Sequence, residues 1–310
     1  MGYARRVVPW LRGIYERSLA REISEAPKHV AVIQDGNRRY ARRRGADASD
    51  GHRSGAKTTE RLLEWCQNVG VEEVTVYAFS TENFERPRDE REALFDLLCE
   101  KLREFADAER VHENEVCIRA LGDIGRLPER VRRAVRYAEG RTREYDRFRL
   151  NIALAYGGRN ELLEAARHVA RDVHQGTLSP DEIDVETIED RLYGRPVRDV
   201  DLIIRTGGDE RTSNFLPWYA NGNEAAVFFC TPYWPEFSRG DFYRGIRTWE
   251  HREKAWEQTR TRRALTLIRS IEGAELPRAR SIVERVRSPV RIAEGRDPIE
   301  EAGPEEQRAD

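Results

Sequence analysis

Lysine is nearly missing from this chain. Only Lys28, Lys57, Lys101 and Lys254 occur, so almost all positive charge is carried by arginine. Arginine grips phosphate in bidentate fashion, but a bias spread over a whole sequence reflects composition rather than a site. Cysteine is sparse too: Cys66, Cys99, Cys117 and Cys230 form no CxxC pair and have no histidines at zinc-finger spacing. This excludes a disulfide scaffold and a zinc ribbon, and fits a reducing, cytoplasmic setting with the thiols as small core residues. No apolar run reaches the roughly 18 residues needed to span a bilayer. The N-terminus has neither an unbroken apolar stretch nor a small-residue cleavage site, so no signal peptide is expected. A net charge of −2 excludes a globally basic nucleic-acid binder, and no nucleic-acid partner is expected. There is no GxxxxGK[ST] P-loop, no GxGxxG after the first strand, no GxSxG elbow and no HExxH.

What is present is enough for a large core: 310 residues, of which 39% are hydrophobic. β-Branched apolar runs at 29–34, 73–79, 116–121, 148–155, 201–204 and 225–230 predict strands. Helical spacing predicts helices near 36–44, 52–69, 88–110, 128–142, 159–175, 181–192 and 240–271. Strands without polar alternation, separated by helices, imply a parallel sheet covered on both faces. The expected fold is therefore a single α/β domain with a mostly parallel six-stranded sheet flanked by helices. Its catalytic body would span 28–272. Residues 1–27 read as an amphipathic helix, with Val7, Trp10, Leu11, Ile14 and Tyr15 near one face and Arg5, Arg6, Arg12 and Arg17 around them. Such a helix packs on its domain or lies at a membrane surface. Residues 273–310 read as a short helix and a disordered charged tail.

In open α/β sheets, ligands bind beyond the carboxyl ends of the strands. Four of those ends are polar and rich in Gly or Arg: Asp35-Gly36-Asn37, Phe79 to Pro87, Tyr156 to Asn160, and Arg205 to Phe215. Glycine turns leading into helices present free N–H groups to an anion, and Arg39, Arg86, Arg205 and Arg211 can grip phosphate. Arg42, Arg43 and Arg44 read as a solvated helix face. His52, near the start of a helix and close to arginines, could donate to a phosphate. A carboxylate such as Asp35 at the end of a buried strand either caps the next helix or holds a cation. Mg2+ suits the second role, because it takes few protein carboxylates and fills its sphere with water and phosphate.

Six blocks occur in order: HVAVIQDGNRRYARRRG, GHRSGA, YAFSTENFERP, LNIALAYGGR, DLIIRTGGDERTSNFLPW and NEAAVFFCTPYWPEF. Over about residues 28–255 the chain closely resembles the cis-prenyltransferases, the undecaprenyl and dehydrodolichyl diphosphate synthases, and in style their archaeal members. The resemblance implies repeated addition of isopentenyl diphosphate to an allylic diphosphate primer, such as geranylgeranyl or farnesyl diphosphate. The product would be a long Z-polyprenyl diphosphate, a glycosyl carrier lipid. It also implies Mg2+, a homodimer with its interface after Arg205, and an apolar tunnel. By the same resemblance Asp35 is the essential metal-binding carboxylate, and Asn83 is a second catalytic residue. Gly36, Asn37, Arg38, Arg39, Tyr40 and His52 hold the allylic diphosphate. Ser80, Thr81, Glu82, Phe84 and Arg86 form a second substrate loop. Arg205, Arg211, Thr212 and Ser213 bind isopentenyl diphosphate, and Glu224 is a second metal carboxylate.

Two departures stand out. Many bacterial members have Gly-Arg-Trp where this chain has Arg38-Arg39-Tyr40, and an Arg where it has Ala48. Arg38 could supply the missing charge. The rival reading is a non-catalytic subunit of a heteromeric prenyltransferase, but such subunits lose catalytic residues and this chain keeps them. Leu62, Leu63, Leu94, Phe95, Leu97, Leu98, Leu102 and Phe105 are candidate tunnel walls, although helical spacing alone does not separate wall from core.

Overall fold

The computed structural model describes residues 13–192, 198–220 and 225–270. Six strands form one sheet: β1 (His29–Ile33), β2 (Glu73–Ser80), β3 (Val116–Leu121), β4 (Phe148–Tyr156), β5 (Leu202–Arg205) and β6 (Ala226–Phe229). Every neighbouring pair is parallel, in the order β3-β4-β2-β1-β5-β6. β1 lies inside the sheet and all five of its residues are buried. This is why its sequence is an unbroken apolar run.

Alternation along β1 divides the core. Val30 and Val32 face a large cluster, Ala31 and Ile33 a smaller one. The large cluster is built with helices α3 (Ala48–Val69), α4 (Arg88–Asp107), α6 (Glu129–Thr142) and α9 (Arg239–Ser270), through Leu62, Leu94, Val131 and Phe242. Helix α7 (Gly158–His174) contributes Ala165 to the smaller one, with Phe215, Leu216 and Tyr219. A helix α1 over 13–22 packs Leu19 into the large cluster, while Ile14 and Tyr15 remain exposed. Val7, Trp10 and Leu11, like residues 273–310, lie outside the described residues.

The chain leaves β1 toward β2 on one side and later returns to β5 on the other. Such a reversal opens a crevice at the strand ends, and here it lies beyond Ile33 and Arg205, which are register partners. Short helix α2 (Asn37–Arg43) follows β1 directly.

Two helices differ from expectation. The segment 88–110 is broken at Ala108, whose extended backbone (φ −67°, ψ 126°) separates α4 from α5 (Glu109–Glu113). The segment 181–192 holds only α8 (Val185–Glu189), behind a 3-10 turn over Pro180–Glu182. Asp184 ends the turn and starts the helix by accepting from Thr187 N–H at 2.8 Å. Local capping outweighs helical spacing there. Residues 239–252 of α9 belong to the main compact unit. From Glu253 onward a second unit begins, whose described part is the continuation of α9 to Ser270.

Candidate active site

Asp35 and Arg205 meet across the crevice. Asp35 Oδ2 accepts from Arg205 Nη2 at 2.7 Å and Oδ1 from Arg39 Nη2 at 2.9 Å. Burial works to raise the Asp35 pKa, but the hydrogen bonds from Arg205 and Arg39 outweigh it and hold the carboxyl below its ordinary range. Its backbone is pinned as well: Asp35 O accepts from Thr206 Oγ1 at 2.7 Å and from Trp234 N at 2.9 Å. Asp35 is therefore no helix cap; its side chain points at guanidinium groups.

Arg205 is only 3% exposed and acts as a hub. Besides Asp35 it donates to Asp209 Oδ2 at 3.1 Å, to Arg211 O at 2.6 Å and to Ser213 Oγ. Its Nε is buried without a hydrogen-bond partner. The loop it holds is strained, since Ser213, Asn214 and Leu216 all have positive φ near 50–59°. Each such residue costs about 1–3 kcal/mol and persists only where the surroundings dictate it. Asn214 is fixed from the other side, accepting Gly158 N–H at 3.0 Å through its carbonyl. Arg211 is mostly exposed and pairs with Asp209 at 3.1 Å. Thr212 closes this loop, with its carbonyl accepting from Phe215 N.

Gly36 has φ +100°, and a Cβ there would meet Tyr233 Cδ1 at 2.6 Å. Tyr233 in turn lies under the guanidinium groups of Arg39 and Arg43. Helix α3 approaches so closely that a Cβ on Gly51 would strike Asn37 O at 2.2 Å, and one on Gly55 would strike Asn37 Oδ1 at 2.3 Å. Asn37 Oδ1 is buried without a hydrogen-bond partner.

The loop after β2 forms a 3-10 turn, Thr81–Glu85. Ser80 caps it, and Ser80 N–H donates to Asn83 Oδ1 at 3.0 Å. Thr81 packs against Gly157. Arg86 donates to Glu90 at 2.8 Å, and Arg38 Nε lies 3.4 Å from the same carboxylate.

Two cavities meet here. A polar one of about 370 Å³ is lined by Gln34, Asp35, Gly36, Asn37, Arg38, Arg39, Arg42, His52, Arg86, Asp209 and Arg211. An apolar one of about 180 Å³ runs between α3, α4 and the sheet, past Val76, Leu94, Leu97, Leu98, Leu102, Phe105 and Ile152. Gln34, Asn37, His52 and Arg86 line both, and Asn83 lines the apolar one.

Most of the expected site residues therefore converge, but several do not. Tyr40 lines neither cavity and lies under Arg44. Phe84 packs edge-on against Phe79, beneath Arg126, and anchors its loop in the core. Glu82 is exposed. Arg42, expected on a solvated face, lines the polar cavity, while Arg43 pairs with Glu236. Leu62, Leu63 and Phe95 belong to the core, and the cavity wall is made by the other five candidates. Glu224 lies outside the described residues. Asp209 was missed, although its position four residues beyond Arg205, just past a strand end, could have flagged it. Tyr233 had no comparable signal, because nothing local says that it folds back under α2.

His52 has its pKa pushed down to about 4, first by burial and then by Arg86 and Arg38. The ring is neutral at pH 7, so any proton it offers a phosphate comes from a neutral imidazole. An unfolded His protonates near pH 6.5, so between about pH 6.5 and 4 the unfolded state holds the extra proton and stability is lost as pH is lowered. The full shift corresponds to about 3 kcal/mol. Glu161, raised to about 7 by burial, acts oppositely: the folded state takes up its proton first on acidification and gains stability. His52→Asn should therefore lose less stability than wild type between pH 6.5 and 4, measured by urea unfolding. An unchanged pH slope would contradict a neutral buried ring.

Residues 33–257 match the family described as putative undecaprenyl diphosphate synthase. The chain is 64% identical over 297 residues to tritrans,polycis-undecaprenyl-diphosphate synthase (geranylgeranyl-diphosphate specific) of Halobacterium salinarum, covering 96% of each protein. Lavandulyl diphosphate synthase from Lavandula x intermedia, solved with dimethylallyl diphosphate, superposes with a TM-score of 0.65 at 31% identity, over 72% of this chain and 95% of that one. A probable undecaprenyl diphosphate synthase from Campylobacter jejuni gives 0.58 at 33% identity, over 74% and 96%. With a parallel sheet, an arginine-lined crevice and matches covering most of its length, the chain belongs to the undecaprenyl diphosphate synthase family of cis-prenyltransferases.

Proposed function

We propose that this protein condenses isopentenyl diphosphate repeatedly onto geranylgeranyl diphosphate, forming a Z double bond each time, to make an undecaprenyl-type diphosphate that serves as a glycosyl carrier lipid. The observation that carries this reading is the junction of the polar and apolar cavities at Gln34, Asn37, His52 and Arg86. One molecule must be charged at one end and hydrocarbon at the other to fill both. The primer named for the Halobacterium relative has that form.

In the polar cavity Arg38, Arg39, Arg42 and Arg86 take the allylic diphosphate, while Arg211 at its edge, with Arg205 and Ser213 beside it, takes isopentenyl diphosphate. The allylic C–O bond breaks and diphosphate leaves with the bonding electrons. The arginines stabilise the charge that grows on it, and such prearranged stabilisation is a major term in catalysis. The isopentenyl double bond attacks the allylic carbon, and the adduct loses a proton. Asn83 Oδ1 already accepts from Ser80 N–H, which leaves its amino group to donate to a diphosphate oxygen. That oxygen, a better base than an amide, accepts the proton.

The ionised Asp35 at the cavity edge is a hard oxygen ligand that suits Mg2+. Among the described residues no three metal-ligating side chains converge, so the cation would draw most of its ligands from water and diphosphate, as Mg2+ prefers. When bound, Mg2+ neutralises charge on the leaving diphosphate. The edge position of β6 supports a homodimer formed through the region after Arg205. The exposed Ile14 and Tyr15 support contact of the N-terminal helix with a membrane surface.

The test is incorporation of labelled isopentenyl diphosphate into extractable lipid with geranylgeranyl diphosphate and Mg2+. Failure to elongate geranylgeranyl, farnesyl or geranyl diphosphate would overturn the reading. Arg38→Ala should raise the primer KM about tenfold, the loss of one charge-assisted contact. An unchanged KM would remove Arg38 from the diphosphate site.

A further inference from the structure

The apolar cavity is too small for what it would receive. Its volume is about 180 Å³, and a cavity of about 150 Å³ holds one benzene. A geranylgeranyl tail is several times larger than benzene, and each condensation lengthens it. The cavity must therefore widen. Its strand side, including Val76, Leu150 and Ile152, is locked in a hydrogen-bonded parallel sheet. Its helix side, α3 and α4, is joined through side chains rather than a backbone ladder, so widening would fall there.

At the deep end the two helices are tied by charge. Lys101 lines the cavity three turns below Glu90 on α4, about 16 Å away along the axis. Its Nζ donates to Glu60 Oε1 on α3 at 3.2 Å and to Glu104 Oε2 on its own helix at 2.6 Å. Glu60 Oε2 accepts from Arg110 of α5 at 3.1 Å. The side chains of Lys101 and Glu60 are only 20% and 19% exposed.

The geometry points to an ionic latch: the Lys101–Glu60 pair closes the far end of the cavity between α3 and α4, and the resistance it offers to the growing chain sets product length. This rests on the polyprenyl synthesis proposed above. Opening leaves neither charge bare. Lys101 keeps Glu104 when α4 moves, because both are on that helix. Glu60 keeps Arg110, which sits on α5 past the break at Ala108 with its guanidinium over Phe105. The Lys101 methylene stem stays against hydrocarbon while its ammonium group turns outward. Burying an isoprene unit outweighs one such pair, so a chain that fills the cavity can force the latch.

Lys101→Met keeps the bulk of the stem and leaves Glu60 paired with Arg110. Glu60→Gln weakens the same tie from α3. With geranylgeranyl diphosphate and labelled isopentenyl diphosphate, both full-length variants should shift the main product upward by one or more isoprene units. Glu60 does not line the cavity, so its variant should do this at unchanged primer KM. Glu104→Gln leaves Lys101 to Glu60 and should give no lengthening. Wild-type product lengths in both Lys101→Met and Glu60→Gln would overturn the latch and leave polyprenyl synthesis standing. Lengthening by Glu104→Gln would overturn it too, by tracing the effect to a loosened helix. If Lys101→Met does not fold, Glu60→Gln decides. A wild type that elongates no primer would instead overturn polyprenyl synthesis itself.

Discussion

Asp35→Ala should lower kcat by about a hundredfold to a thousandfold, the scale found when one prearranged electrostatic contact to a transition state is removed. The carboxylate sets the position of two guanidinium groups at once, accepting from Arg39 on one oxygen and from Arg205 on the other. Without it Arg39 keeps only its place over Tyr233, and Arg205, buried and still held by Asp209, keeps only one carboxylate. The folding cost should be modest, about 1–3 kcal/mol, because that second carboxylate remains. Asp35→Asn is the sharper comparison. It keeps the volume and one acceptor but loses the charge, so its kcat should also collapse while urea unfolding stays near wild type. Turnover of either variant at the wild-type rate would sink the assignment of Asp35 to the chemistry.

Arg205→Met should damage both stability and turnover. Breaking a fully buried ion pair by removing one partner costs about 3–5 kcal/mol. Here Asp35 and Asp209 are partly exposed and keep Arg39 and Arg211, so losing the guanidinium that bridges them should cost no more than the low end of that range. It also releases the loop carrying the positive-φ residues Ser213, Asn214 and Leu216, whose strain is held partly through Arg205 bonds to Arg211 O and Ser213. The KM for isopentenyl diphosphate should rise at least tenfold and kcat should fall about a hundredfold, on the scale of losing one charge-assisted network. Arg205→Lys should rescue little, because an ammonium is a point charge and cannot serve four acceptors in a plane. Steady-state kinetics and urea unfolding of both variants check this. Near-wild-type kinetics for Arg205→Lys would refute the hub.

How far the sequence foretold this arrangement depended on what kind of contact was involved. The strands were legible because burial on both sides forces unbroken β-branched runs, as in β1 and β5. The crevice was legible because a parallel sheet brings all strand ends to one edge, so Asp35, Arg86 and Arg205 could be grouped without coordinates. What stayed hidden were contacts between segments distant in the chain. Nothing local reveals that Tyr233 lies under Arg39, or that Asn37 fits against Gly51 and Gly55. Phe84 sat in a motif with polar neighbours, and its turn sends it into the core instead. The start of α8 was decided by the cap at Asp184, and the break at Ala108 is a backbone turn without a side-chain cap; apolar periodicity registers neither.

The glycines of α3 have a consequence for an enzyme that repeats one reaction many times. Gly51 and Gly55 bring the first turns of α3 against Asn37, and Gly55 O accepts from Trp234 Nε1 at 2.8 Å. That end of the helix is clamped to the segment carrying Asp35, while Glu60 lies beyond the clamp. The start of the helix is thus a fixed point beside the polar cavity. On the latch proposed above, α4 yields at the far end of the cavity while this fixed point keeps the polar end in place. Processive synthesis asks for this separation: the last round must meet the same reactive geometry as the first, however much hydrocarbon has accumulated behind it.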